Sequence, residues 1–140
     1  MQEKIFEAIH KRVAEEPYAR KLGMKLLKVE TGYSLVQMTF TRDMENIYGM
    51  AHGGAIFSLI DEAFETASNS HDRVAVALNL SVNFIKSPSL GAVLYAEARE
   101  TSLSNRIGTY EIEVRDEQKY LIAQCQAMVY RKNEKLPFLD

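Results

Sequence analysis

The chain has 140 residues, 46% hydrophobic and 26% charged, with a formal net charge of −2. That length suits one domain with a full core, and the balance of charge, free of any like-charged block, excludes a nucleic-acid footprint. A lone cysteine, Cys125, excludes an intrachain disulfide and a multi-cysteine metal centre, and no apolar run reaches membrane-spanning length.

Residues 2–16 read as an amphipathic helix, with Ile5, Phe6, Ile9 and Val13 on one side and Glu3, Lys4, Glu7, Lys11 and Arg12 elsewhere. Pro17 closes it. This start lacks the apolar centre of a signal peptide, which points to a cytoplasmic protein. Met24–Glu30 and Tyr33–Thr41 alternate as strands and are joined by Thr31-Gly32, a hairpin signature. A loop follows over 42–51. A long helix is expected over 53–69, with Ile56, Leu59, Ile60, Ala63 and Ala67 as its core stripe and Phe57 and Phe64 beside it. Asn69-Ser70-His71-Asp72 ends it. Four strands complete the chain, over Arg73–Ile85, Ala92–Thr101, Arg106–Arg115 and Lys119–Arg131, and residues 132–140 read as a tail. Strands segregated around one apolar helix predict an α+β domain over 1–140, an antiparallel sheet curled round that helix with an extra N-terminal helix. A sheet with two open edges invites a second copy.

The stretch N-I-Y-G-M-A-H-G-G-A-I-F-S-L-I-D, from Asn46 to Asp61, carries the chemistry. Gly53-Gly54 stands where the long helix begins, so backbone there can approach a ligand closely. The first N–H groups of a helix have no internal partner and sit at the positive end of its dipole, a setting that holds an anion or a developing oxyanion. Asp61 lies at the margin of the core stripe. It is either a solvated acid on a helix flank or a partly desolvated catalytic carboxylate. If it is catalytic, geometry demands two chains. Eight helical residues span roughly 12 Å, whereas an acid and an oxyanion donor must each reach one carbonyl group to about 3 Å. Two antiparallel helices across a two-fold axis would place Gly53 of one beside Asp61 of the other, twice.

The pattern N-x-x-G-x-x-H-G-G-x-x-x-x-L-x-D resembles the hot-dog-fold thioesterases of the phenylacetic-acid-degradation (PaaI-like) type. The resemblance extends to Leu22-Gly23-Met24, to Val82-Asn83-Phe84-Ile85-Lys86-Ser87-Pro88, to Gly91 and to the run Leu121–Ala127. It implies hydrolysis of acyl-coenzyme A thioesters with no metal and no bound cofactor, coenzyme A being part of the substrate. The acid matching Asp61 would attack the carbonyl or activate water. The Gly53 N–H of the other subunit would bind the carbonyl oxygen, while His52 and Asn46 shape the site, Asn46 contacting substrate or water. It also implies homodimers that commonly pair into tetramers. Many members carry Ser or Thr in the strand after the helix. Here that position is Ala77, with Asn79 or Thr66 as substitutes. Members also carry Gly ahead of the basic residue at the turn Ser104-Asn105-Arg106, and Asn105 tolerates the same left-handed backbone.

Lys86 and Arg106, at strand ends, are either solvated charges or contacts for coenzyme A phosphates. His10, His52 and His71 lack ligand spacing, so no zinc site is expected. Cys125 reads as buried packing, and Met24, Met38, Met44, Met50 and Met128 as core filling or as an adaptable acyl pocket. Aryl-acetyl, benzoyl-like and medium aliphatic acyl groups all fit an apolar pocket beside Phe57 and Phe64. A hot-dog dehydratase or hydratase, and an acyl-CoA-binding protein without turnover, are the competing functions.

Overall fold

The computed structural model describes residues 1–139. Six antiparallel strands, β1 (Lys25–Glu30), β2 (Tyr33–Thr39), β3 (Ala75–Phe84), β4 (Val93–Leu103), β5 (Ile107–Asp116) and β6 (Leu121–Arg131), form one sheet in the order β1-β2-β4-β5-β6-β3. The helix α3 (Gly53–Ser68) lies against one face of it, the α+β hot-dog arrangement expected from the sequence. Ile56, Leu59, Ile60, Ala63, Phe64 and Ala67 of α3 are buried against Val36 and Met38 of β2, Leu94, Ala96 and Ala98 of β4, Ile112 and Val114 of β5 and the inward residues of β6. The alanines at 63, 67, 96 and 98 let helix and sheet approach closely. Phe64 meets the ring of Tyr110 edge-on at 5.7 Å, and the buried Ser34 hydroxyl donates to the Ala63 carbonyl at 2.6 Å, fixing β2 to the helix.

At the N-terminus, α1 (Gln2–Glu15) buries Ile5, Ile9 and Val13 and packs against β1. Pro17 does not simply end the helical region. It opens a second, five-residue helix, α2 (Pro17–Lys21), because a proline lacks only an N–H that the first turn would leave unpaired anyway. The tail reading also changes. The Val74 N–H donates to the Glu134 carbonyl at 2.9 Å, the Lys132 N–H to the Val74 carbonyl at 2.8 Å, and Leu136 is buried. Only Asp140 lies outside the described residues.

The two sheet edges differ. The β1 edge has α1 beside it, whereas β3 pairs only with β6 among the described residues and is exposed along most of its length. Val76, Leu78 and Phe84 there leave large apolar side chains in solvent, an edge suited to a second copy of the chain. A bulge between Ala77 and Asn79 shifts the β3–β6 register and decides which β3 residues face α3. Truncating the fully buried helix residue Leu59 should expose this packing. Leu59→Ala is expected to lower unfolding free energy by about 2–5 kcal/mol in a urea titration, and a loss under about 1 kcal/mol would mean that α3 is not the centre of the core.

Candidate active site

The loop before α3 is built by Asn46. Its N–H donates to the Met50 carbonyl at 2.7 Å and its carbonyl accepts from Gly49 at 3.0 Å. Its side-chain Oδ1 accepts from the N–H groups of Tyr48 and Met50 at 2.8 and 3.0 Å. Gly49 turns the chain in the left-handed region, φ 76°. The oxygen of Asn46 is therefore engaged in shaping the loop, and its amide nitrogen is the part left for another contact. The His52 N–H then donates to the Met44 carbonyl at 2.8 Å, tying the helix start to the loop's beginning.

His52 is the N-cap of α3. Its Nδ1 accepts from the Gly54 N–H at 2.8 Å, and that role leaves the proton of a neutral ring on Nε2. A Cβ on Gly54 would stand 3.0 Å from this Nδ1, so the second glycine makes room for the cap. The His52 carbonyl accepts from Ala55 at 3.0 Å and from Ile56 at 3.4 Å. Of the first four helical N–H groups, three are thus taken. The Gly53 N–H has no partner among the described residues, and it stands at the positive end of the helix dipole. Beside it lies Phe84 of β3, whose ring would be 3.4 Å from a Cβ at position 53.

Asp61 projects from the exposed side of α3, two turns further on. Solvent reaches one side of the carboxyl while protein crowds the other. That desolvation raises its pKa above 3.8, and the charge of Glu16 raises it further. Glu16, 45 positions upstream of Asp61, was invisible as a neighbour in the sequence because α1 and α2 have to fold over before it arrives. Cys125 is buried as expected, and its thiol is pushed up to about 11 by burial and also by the charge of Asp61, so it is protonated and no nucleophile at neutral pH.

Several expectations change. Neither proposed substitute for the missing hydroxyl is in position. Thr66 is buried and turns its hydroxyl to the carbonyls of Glu62 and Ala63, at 2.9 and 3.1 Å. Asn79 would share a face with Ala77 in a regular strand, but the bulge between them pairs Ala77 with buried Val129 and Asn79 with outward Met128. Asn79 therefore faces away from α3. Phe64 is core rather than pocket wall, while Phe57 is 38% exposed and stays available. Met24, Met38 and Met44 fill the core, whereas Met50 and Met128 are exposed. Asn105 does not use the left-handed region, which among non-glycine residues holds Asp72 and Lys119. That turn is closed instead by the Ser104 N–H donating to the Ile107 carbonyl at 2.8 Å.

Within one chain, Asn46, His52 and Gly53 come together and Asp61 stands apart along the helix. Lys86 and Arg106 are also apart. The Lys86 N–H donates to the Ile122 carbonyl and the Arg131 N–H to the Arg106 carbonyl, so the two cations flank opposite ends of β6, roughly 30 Å from each other at the rise of a strand. Lys86 lies 4.0 Å over the ring of Tyr120, and Arg106 lies 5.9 Å from that of Tyr130.

The model of the thioesterase superfamily matches residues 48–123, from the loop through α3 to the start of β6. The chain belongs to the thioesterase superfamily. Within it the chain is PaaI-like. It is 30% identical over 131 residues to acyl-coenzyme A thioesterase PaaI of Escherichia coli, covering 94% of each chain. The solved structure of E. coli PaaI superposes with a TM-score of 0.91 over 96% of this chain and 98% of that one. A putative esterase of Archaeoglobus fulgidus is 40% identical over 116 residues, 83% of this chain and 75% of the relative. A Streptococcus mutans protein solved with acetyl CoA bound is 26% identical, with a TM-score of 0.77 over 81% of this chain and 91% of that one.

The cap gives this PaaI-like site a direct test. His52→Ala should cost about 1 kcal/mol of unfolding free energy, and His52→Asn, which restores an acceptor, should recover most of it. Equal urea midpoints for His52→Ala and the wild type would show that the cap is not formed.

Proposed function

We propose that this thioester hydrolase acts on acyl-coenzyme A, with Asp61 of one subunit as nucleophile or general base and the Gly53 N–H of the partner subunit as oxyanion donor. The observation that carries the reading is the helix start, where every early N–H but that of Gly53 is taken, in a chain of the PaaI-like family. A carbonyl oxygen seated there gains a hydrogen bond and the helix dipole as negative charge develops on it. Asp61 either adds to the carbonyl carbon or takes a proton from the water that adds. The tetrahedral intermediate then expels coenzyme A as a thiolate, a good leaving group because thiols ionise near pH 8.5; where water added, the free acid is released directly, and where Asp61 added, water cleaves the acyl–Asp61 anhydride and restores the carboxylate. With no hydroxyl from Ala77, Thr66 or Asn79 beside it, Asp61 works without a side-chain partner from those positions.

The assembly follows from the same distance. One α3 cannot offer its own Gly53 and Asp61 to one carbonyl, so the site is completed by a homodimer in which two α3 helices run antiparallel. The exposed apolar edge of β3 supports joining the two sheets there, and pairing of dimers would give a tetramer. Such a dimer also answers the separation of Lys86 from Arg106. Antiparallel β3 strands bring the Lys86 end of one subunit to the Arg73 end of the other, where Arg106 lies. Both cations then flank one substrate and contact the coenzyme A phosphates. Substrate arrives already carrying its coenzyme A, so no separate cofactor is needed, and a cytoplasmic location suits it.

Asp61→Asn should lower kcat/KM for acyl-CoA hydrolysis by about 10²–10⁴-fold or more while the dimer persists in sedimentation analysis. Wild-type rates in that variant would remove Asp61 from the mechanism, and tight acyl-CoA binding without thiol release by the wild type would identify a binder instead of an enzyme. The pH profile is a separate check. Asp61 must be ionised to act, so kcat/KM should fall as pH drops through its raised pKa, placing the acid limb above the ordinary 3.8. A limb at or below that value would contradict the desolvated environment.

A further inference from the structure

A second group of acids lies behind the site. Glu16, just past the end of α1, and Glu62 and Glu65 of α3 each bring a carboxylate oxygen to within 4.8 Å of the others. Glu62 and Glu65 share a helix face at a spacing of three, and the turn between α1 and α2 lays Glu16 across it. Glu62 is 4% exposed, and its Oε2 is sealed from solvent with no N–H or hydroxyl donor among the described residues. Thr66, its nearest hydroxyl along the helix, is engaged with backbone carbonyls. None of the three acids is within ion-pair distance of a Lys or Arg among the described residues. Arg12 of α1 is the cation that acts on Glu65, and Asp61 adds further negative charge. The Glu62 carboxyl lies within hydrogen-bond reach of those of Glu16 and Glu65, and three carboxyl groups crowded together this deep need either a shared proton or a cation to join them.

We propose that Glu16, Glu62 and Glu65 bind a divalent cation of calcium size, tying the end of α1 to the turn of α3 that carries Asp61. Three carboxylates are hard oxygen ligands, which select calcium, magnesium or manganese over zinc or copper. Geometry separates these. The three oxygens lie within 4.8 Å of one another, a limit either ion meets, but calcium accepts six to eight oxygens in irregular arrangements whereas magnesium demands a near-ideal octahedron. A cavity of about 500 Å³ lined by Glu16, Glu65, Arg12, Asn69 and Glu134 opens beside the cluster, giving an entry path and room for the water ligands that three carboxylates leave to be supplied. None of the three acids touches substrate in the proposed mechanism, and Glu16 bears on it only by raising the pKa of Asp61.

The test is calorimetric titration of chelator-treated full-length protein with CaCl2, paired with thermal melts. Saturable binding of one Ca²⁺ per chain and a rise in melting temperature are expected, with MgCl2 binding more weakly. Glu62→Gln and Glu65→Gln keep the shape of the side chain and remove its charge, and each should weaken Ca²⁺ binding at least about tenfold. Glu16→Gln, at the half-buried end of α1, serves if either helix variant fails to fold by circular dichroism. No saturable heat and no melting shift at millimolar CaCl2 would overturn the site. So would unchanged Ca²⁺ binding in the folded glutamine variants, and in either case a shared proton, not a metal ion, holds the cluster.

Discussion

The distance along one helix governs this molecule. Gly53 and Asp61 sit on the same rigid element, eight residues apart, and no rotamer change brings them to one carbonyl group. Everything useful about α3 follows from its being held straight and immobile. Its apolar stripe is buried against the sheet, alanines on both sides let it lie close, and Ser34 fastens it from β2. On the proposed mechanism a helix so fixed presents two half-sites, one at its start and one on its flank, and a second copy of the chain would supply the complementary halves.

The start of that helix shows how a local sequence choice becomes chemistry. His52 caps Gly54 instead of leaving the turn open, its carbonyl takes Ala55 and Ile56, and the Gly53 N–H at the positive pole is left without a partner among the described residues. Asn46 and Gly49 shape the loop that delivers His52 to this position. The HGG triplet is thus a division of labour: a cap, a donor without a side chain, and a glycine whose bareness the cap requires.

Much of this fold is legible in the amino-acid sequence alone. The 3.6-residue period after Gly53 gave α3 to within a residue of its end, and alternation gave all six strands, because both signals are set by one-sided burial. What stayed hidden needed either a defect in periodicity or a contact distant in sequence. A bulge after Ala77 reverses the facing of Asn79, and alternation alone carries no trace of it. Pro17 read as a stop because that is its commoner role, although its ring suits a first helical turn equally well. Thr66 looked free for chemistry and instead bonds its own helix, a competition that hydroxyls in helices often choose. Glu16 reached Asp61 and Glu62 only through tertiary folding, so no local pattern announced it.

The proposed shared site is tested most directly by mixing two inactive subunits. Gly53→Pro removes the one N–H in question at the helical position where proline is best tolerated, after a residue already in extended conformation. Asp61→Asn removes the acid. If each site draws its donor and its acid from different chains, a hybrid dimer regains one intact site, and subunits refolded together in equal amounts should recover about a quarter of wild-type hydrolysis. Activity no greater than the sum of the two parents would contradict the account, because a site contained within one chain cannot be rescued by its neighbour.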